Sequence, residues 1–231
     1  MKVSQEFSKY AREYPKFNQI QEQVAKKLIS SLGYKSKKIL DLGCGSGAVY
    51  NLIDWNIEKF VGVDFSHKML ELHPKASGVR CMLGDFNDST LFEELLKEDF
   101  DYIISASALQ WAEELGSVFK NISNFGLPFS LAVFTSGTFA TLNKTAKIDS
   151  IIPSKDRVID LAEKYLDADI EIVHYSLEFD SVRDMFRYIK KSGVSGGRNV
   201  LTYKQTKKLM DEYPLNYLEF EVVYINSFSK A

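Results

Sequence analysis

Cysteine and histidine are scarce in this chain: two cysteines and three histidines in 231 residues. Cys44 and Cys81 are too few for a disulfide framework, and His67, His73 and His174 are too scattered to build a metal site with them. No apolar run approaches the roughly 20 residues that span a bilayer. The opening stretch Met-Lys-Val-Ser-Gln-Glu-Phe-Ser-Lys-Tyr has no apolar signal core. A membrane protein and a disulfide-stapled secreted domain are therefore not expected, and a cytoplasmic location is. No internal repeat, low-complexity tract or linker divides the chain, so residues 1–231 are expected to form one domain.

A large excess of one charge is also missing. The net charge of −2 argues against a general nucleic-acid binder, but the average conceals a basic window. Between positions 183 and 208, Arg183, Arg187, Lys190, Lys191, Arg198, Lys204, Lys207 and Lys208 stand against Asp184 alone. That window carries +7, which leaves −9 on the remainder. So one-signed a stretch favours an acidic partner.

What is present is an alternation of short apolar runs with helical patterns, in a chain that is 45% hydrophobic and 26% charged. Ile20, Val24, Leu28 and Leu32 recur at four-residue spacing and predict a helix over residues 5–32, stopped by Gly33. Strands are expected at Lys38–Leu42, Phe60–Asp64, Val79–Leu83, Tyr102–Ser105 and Phe129–Phe134. Helices are expected to begin at Val49–Ile53 and to lie around Lys68–Leu72, Leu91–Lys97 and Glu113–Ile122. That order implies βαβ units and a parallel sheet covered on both faces. Ile170–Phe179 and Leu218–Ser227 predict a final antiparallel pair. The expected fold is therefore α/β and Rossmann-like, with a seven-stranded, mostly parallel sheet whose last strand is antiparallel. Residues 1–35 form a cap helix, about 36–135 a cofactor-binding core, about 137–215 a helical lid with one strand, and 216–231 the last strand. The lid is expected over the carboxyl ends of the strands, where open α/β sheets bind ligands.

The segment Ile39-Leu-Asp-Leu-Gly-Cys-Gly-Ser-Gly47 carries the chemistry. An apolar strand with one acid, Asp41, runs into a loop with Gly43, Gly45 and Gly47 at alternate positions. Such a loop turns sharply and lets a ligand lie on bare peptide groups, and a helix starting after it would aim its amide donors at that ligand. The glycines alone fit two cofactors. Gly43-x-Gly45-x-x-Ala48, with Asp64 21 residues beyond Gly43, satisfies a dinucleotide fingerprint. The acids separate the two, although each has a plainer use: Asp41 as a cap, Asp64 as a turn former, Asp85 as the head of an Asx turn. Asp41-x-Gly43-x-Gly45-x-Gly47, Asp64 at the end of the second strand and Gly84-Asp85-Phe86 after the third resemble the motifs of class I S-adenosylmethionine-dependent methyltransferases.

That resemblance implies a cofactor, S-adenosyl-L-methionine (leaving as S-adenosyl-L-homocysteine), and its binding residues. The glycine loop with Asp41 would face the amino-acid end, Asp64 the ribose hydroxyls, and Asp85 the adenine amine between Phe65 and Phe86. Gln21, Met69, Gly84 and Ser105 complete the implied cofactor site. Carboxylates also suit a cationic sulfonium.

The acceptor is indicated by Ser105-Ala106-Ser107-Ala108-Leu109-Gln110-Trp111 after the fourth strand, which resembles the carboxylate-methylating branch. Phe7-Ser8-Lys9, Tyr14 and Ile20-Gln21, the stretch Phe134–Thr138 with Ile152–Asp156, the segment Arg187–Thr202 and the closing Phe220–Ile225 are similar to the malonyl-acyl carrier protein O-methyltransferases of biotin synthesis. One departure is Phe125-Gly126-Leu127-Pro128, where many class I enzymes read Lys-Pro-Gly-Gly. The resemblance implies methylation of the free carboxylate of a malonyl thioester, on acyl carrier protein or coenzyme A. It involves no metal, no membrane and no nucleic acid; no Asn-Pro-Pro-Tyr-type motif follows the fourth strand. A malonyl carboxylate is ionised near neutral pH, so no acid–base pair is expected. Tyr14, Gln110 and Trp111 would position the acceptor, with Arg187 and Arg198 as the carboxylate clamp. Arg183, Lys190, Lys191, Lys204, Lys207 and Lys208 would dock the acidic carrier. A methyltransferase of free diacids, such as trans-aconitate methyltransferase, and a non-enzymatic cofactor-binding scaffold are the alternatives.

Overall fold

The computed structural model describes residues 18–191 and 202–227. Tyr14 and Arg198 lie outside the described residues, as do the first part of the expected N-terminal helix and the side chains of Lys190 and Lys191. In chain order the elements are α1 (Gln19–Ser30), β1 (Lys38–Leu42), β2 (Lys59–Asp64), α2 (His67–Leu72), β3 (Val79–Leu83), α3 (Ser89–Leu95), β4 (Tyr102–Ala106), α4 (Leu115–Ser123), β5 (Phe129–Phe134), α5 (Ala140–Ala146), α6 (Lys155–Tyr165), β6 (Asp169–Glu178), α7 (Val182–Lys191), α8 (Tyr203–Glu212) and β7 (Tyr217–Ser227). The described strands form one seven-stranded sheet in the order β3-β2-β1-β4-β5-β7-β6. β7 runs antiparallel to both of its neighbours, and the other pairings are parallel.

Strand alternation divides the buried side chains between two cores. On one face Leu40, Leu42, Val61, Val63, Ile103, Leu131, Val133, Val223 and Ile225 pack under α3, α4 and α6. On the other, Ile39, Phe60, Tyr102, Ile104, Phe134, Val222 and Tyr224 meet α1, α5, α7 and α8. The four-residue spacing of Ile20, Val24 and Leu28 places one apolar stripe of α1 on that second face, where all three are fully buried. Side chains define several helix starts: Asp88 accepts from Thr90 N at α3, Ser154 from Arg157 N at α6, and Thr202 and Gln205 form a capping box at α8.

Two expectations need correction. After the glycine loop there is no α-helix, only a 3₁₀ turn at Tyr50–Leu52. Leu52, Ile53, Trp55 and Ile57 are all drawn towards the second core. Their spacing cannot bring them to one helical face, so the chain gives up helical bonds for packing, and Trp55 Nε1 donates to Ser36 O at 2.6 Å. The second correction concerns the lid. α6 packs on the first face against α4, with Val158, Leu161 and Ala162 in that core. α5, α7 and α8 gather beside the carboxyl ends of β5 and β6, where Tyr188 meets Phe179 and Phe220.

β1 adjoins both β2 and β4, so the connections leave in opposite directions from its two sides. That reversal opens a crevice at the carboxyl ends of β1 and β4. Among the described residues no helix is long and apolar enough to cross a membrane, and no group of three potential metal ligands occurs.

Candidate active site

An open cleft with an empty volume of about 700 Å³ lies at this crevice. Its walls come from the glycine loop, the turn after β2, the segment after β4, Phe86 beyond β3 and the start of α1. The loop is held from below by the end of β2: Gly43 N and Cys44 N both donate to Val63 O, at 2.8 and 3.0 Å. Ser105 Oγ donates to Leu42 O at 2.6 Å and ties the ends of β4 and β1 together.

Gly43 sets how closely the two walls meet. Its φ is +79°, and a Cβ there would fall 2.1 Å from Ala108 Cβ on the opposite wall. Gly45, also left-handed at φ +52°, faces open space, so its backbone is bare towards the cleft. Gly47 lies away from the cleft lining, against His73 and Pro74.

Asp64 organises the floor. Its Oδ2 accepts from Gly45 N at 3.0 Å and its Oδ1 from Ser66 N at 2.8 Å. A carboxylate has about four lone-pair sites, so two remain for a ligand in the cleft that Asp64 lines. Burial raises its pKa to about 6, against the lowering effect of those two amides. Asp41 lies deeper. It is fully buried, neither oxygen has a hydrogen-bond partner, and its pKa is pushed up to about 8 by burial and then by the charge of Asp64. Cys44 lines the cleft, and burial followed by the two acids pushes its thiol pKa far up. Among the described lining residues there is no lysine, arginine or histidine.

The other expected residues divide clearly. Gln21, Phe65, Met69, Phe86 and Trp111 line the cleft with Gly43, Gly45 and Asp64. Gln21 Oε1 is buried there without a partner. Ser105 and Gly84 stand behind the lining; Gly84 packs on Leu91 and Val63. Asp85 is exposed, and its Oδ1 accepts from Asn87 N at 2.9 Å and Asn87 Nδ2 at 2.8 Å, forming an Asx turn. Gln110 is turned away from the lining, and its Nε2 donates to Ser107 O at 2.6 Å. Arg187 is not brought to the cleft: its guanidinium pairs with Asp184 at 2.6 Å, with 56% of its side chain exposed. Ser107, a lining residue within the Ser105–Trp111 segment to which the sequence pattern assigns no role of its own, has φ +62° and a buried hydroxyl with no partner. A left-handed non-glycine residue costs on the order of 1–3 kcal/mol.

The donor set fits S-adenosylmethionine. Bare glycine peptides, the Asp64 carboxylate with free lone pairs, the unpartnered Asp41 carboxyl and an unpartnered Gln21 oxygen face or underlie a cleft that Phe65 and Phe86 flank. Uncompensated acceptors are what a cationic, hydroxyl-bearing ligand satisfies.

Comparison with known proteins agrees with this geometry. Residues 40–128 match the family described as a methyltransferase domain. A curated relative from Legionella pneumophila, named malonyl-[acyl-carrier protein] O-methyltransferase, is 26% identical, with the alignment covering 99% of this chain and 90% of the relative. The chain is also similar in structure to the YcgJ protein of Bacillus subtilis, with a TM-score of 0.58 and 14% identity over 88% of this chain and 97% of that one. A Haemonchus contortus phosphoethanolamine N-methyltransferase 2 in complex with S-adenosyl-L-methionine gives a TM-score of 0.57 at 12% identity, covering 95% of this chain and 57% of that one.

Two outcomes follow from the site. Gly43→Ala should weaken S-adenosylmethionine binding by roughly tenfold or more, and adding Ala108→Gly should recover part of the loss by removing the clashing methyl, as calorimetric titration would measure. The second concerns pH. The folded, ligand-free protein keeps protons on Asp41 and Asp64 that the unfolded chain releases near pH 4, so these groups make stability fall as pH rises from about 4 to 8. Asp41→Asn removes the larger contribution. The melting temperature of the variant minus that of wild type should therefore increase by several degrees between pH 5 and pH 8 in thermal denaturation.

Proposed function

We propose that this chain, a class I S-adenosylmethionine-dependent methyltransferase, methylates the free carboxylate of a malonyl group carried as a thioester on acyl carrier protein, giving the methyl ester that primes the pimeloyl moiety of biotin. The observation that carries this reading is the extent of the likeness: the Legionella relative of that name aligns over 99% of this chain, lid segment included. Seven further curated proteins of the same description align at 23–27% identity.

When bound, S-adenosylmethionine supplies an electrophilic methyl group on a cationic sulfur. The residues that would hold it are Gly43, Gly45, Asp64, Gln21, Phe65, Met69 and Phe86, with Asp41 beneath and Asp85 at the rim. The chain's own contribution is binding, orientation and exclusion of water. A malonyl carboxylate carries its negative charge near neutral pH, so no side chain need remove a proton from it. Trp111, on the acceptor side after β4, forms a wall against which a short acyl group can be aligned, and Gln110 braces that segment through Ser107 O. Tyr14 and Arg198 belong to the same proposal as acceptor contacts.

The docking surface lies on α7 and α8, which pack against each other. Arg183, Arg187, Lys204, Lys207 and Lys208 are exposed there, with Lys208 3.6 Å from Glu212. Lys190 and Lys191 extend the same basic run in sequence. Such a surface steers an acidic carrier and sets its orientation more than it adds affinity. A cytoplasmic setting is part of the proposal, and Cys44 and Cys81 are free thiols, as a reducing compartment requires.

Mass spectrometry of malonyl-acyl carrier protein incubated with enzyme and S-adenosylmethionine tests the acceptor directly. A one-methylene gain is expected. Methylation of free diacids with indifference to the carrier would reverse the reading. Lys204→Glu with Lys207→Glu should raise KM for malonyl-acyl carrier protein by about 5–10-fold and reduce its salt dependence, while turnover on malonyl-coenzyme A stays near wild type.

A further inference from the structure

Resting on the acceptor reading above, we infer that the Ser107 hydroxyl donates a hydrogen bond to the acceptor carboxylate. Four observations converge on this residue. Ser107 lines the cleft on the acceptor side, one residue beyond β4. Its Oγ is buried and has no hydrogen-bond partner. Its backbone is left-handed at φ +62°, a conformation that serine adopts only when its surroundings impose it. Those surroundings are visible: Ser107 N donates to Ala132 O at 2.9 Å, and Ser107 O accepts from Gln110 Nε2 at 2.6 Å. A strained backbone clamped at both ends, presenting an unsatisfied buried hydroxyl, is a preorganised donor waiting for an acceptor.

Among the described lining residues, the hydrogen-bond donors open to a carboxylate are neutral. The described lining contains no lysine or arginine, and Arg187 is engaged with Asp184 outside it. The other lining serine, Ser46, belongs to the glycine loop on the cofactor side and is not among the buried unpartnered atoms. A hydroxyl bonded to a carboxylate forms one of the shorter and stronger neutral-to-ion hydrogen bonds. Ser107 therefore reads the ionised end of the acyl group, and loses its partner's charge once the ester forms.

The test is calorimetric titration of malonyl-coenzyme A, and separately of its methyl ester, into wild type and Ser107→Gly, each saturated with S-adenosylhomocysteine. Glycine keeps the left-handed backbone without strain, so the variant should melt at or above the wild-type temperature. Its Kd for malonyl-coenzyme A should rise about 10- to 100-fold, while its affinities for the methyl ester and for S-adenosylhomocysteine stay within about twofold. Ser107→Asn, which tolerates the backbone and carries an amide donor, should recover part of the loss. A wild type that binds malonyl-coenzyme A with a Ser107→Gly variant that binds it equally well overturns the role of Ser107 alone. Weaker S-adenosylhomocysteine binding by the variant, with acceptor affinity retained, assigns the hydroxyl to the cofactor and overturns it too. A wild type that binds neither malonyl-coenzyme A nor, in the same titration, malonyl-acyl carrier protein overturns the acceptor reading itself.

Discussion

The contact on which the site depends is the meeting of two backbones at Gly43 and Ala108. β1 and β4 are neighbours in the sheet, and their outgoing segments must part to leave a crevice yet stay close enough to enclose a ligand. Where they are nearest, a single methyl group on Gly43 would overlap that of Ala108. The absence of that methyl is what lets Ser105 tie β4 to Leu42 and lets the glycine loop reach Val63 O and Asp64. The apolar faces of both cores converge on the same strands, so the burial that stabilises the sheet also fixes the geometry of the cleft.

Electrostatically the floor is unbalanced. Asp41 and Asp64 are both buried, and no cation among the described lining residues compensates them. Burial opposes the ionisation of both, and the charge of Asp64 adds to the rise at Asp41. The fold tolerates this because the imbalance is confined to one spot and because Asp64 is bound by two amides. Groups arranged in this way favour a ligand that brings positive charge and hydroxyl donors, and they favour it over an anionic dinucleotide phosphate. The same glycine loop that fits two cofactors is thus resolved by the acids beneath it.

Much of this was legible in the sequence because it is written in short-range patterns. The alternation of apolar strands with helices, the antiparallel last strand and the acids at successive strand ends each depend on residues a few positions apart. What was not legible depends on contacts across the fold. The helix expected after the glycine loop reduces to a 3₁₀ turn because Leu52, Ile53, Trp55 and Ile57 are recruited by a distant core. Arg187 reads as a clamp by charge and position, yet Asp184, three residues before it, holds it on the outer surface. Ser107 lies in the segment after β4, but its left-handed backbone is held by bonds to Ala132 and Gln110 that no local propensity announces.

The Cys44 thiol stands in the wall of a cleft built for an alkylating agent. Thiolates, not thiols, are the sulfur nucleophiles, and burial together with the adjoining carboxylates holds this group in its protonated form. Burial first, and the acids of the floor second, thus keep the nearest soft nucleophile of the described lining in its unreactive thiol form.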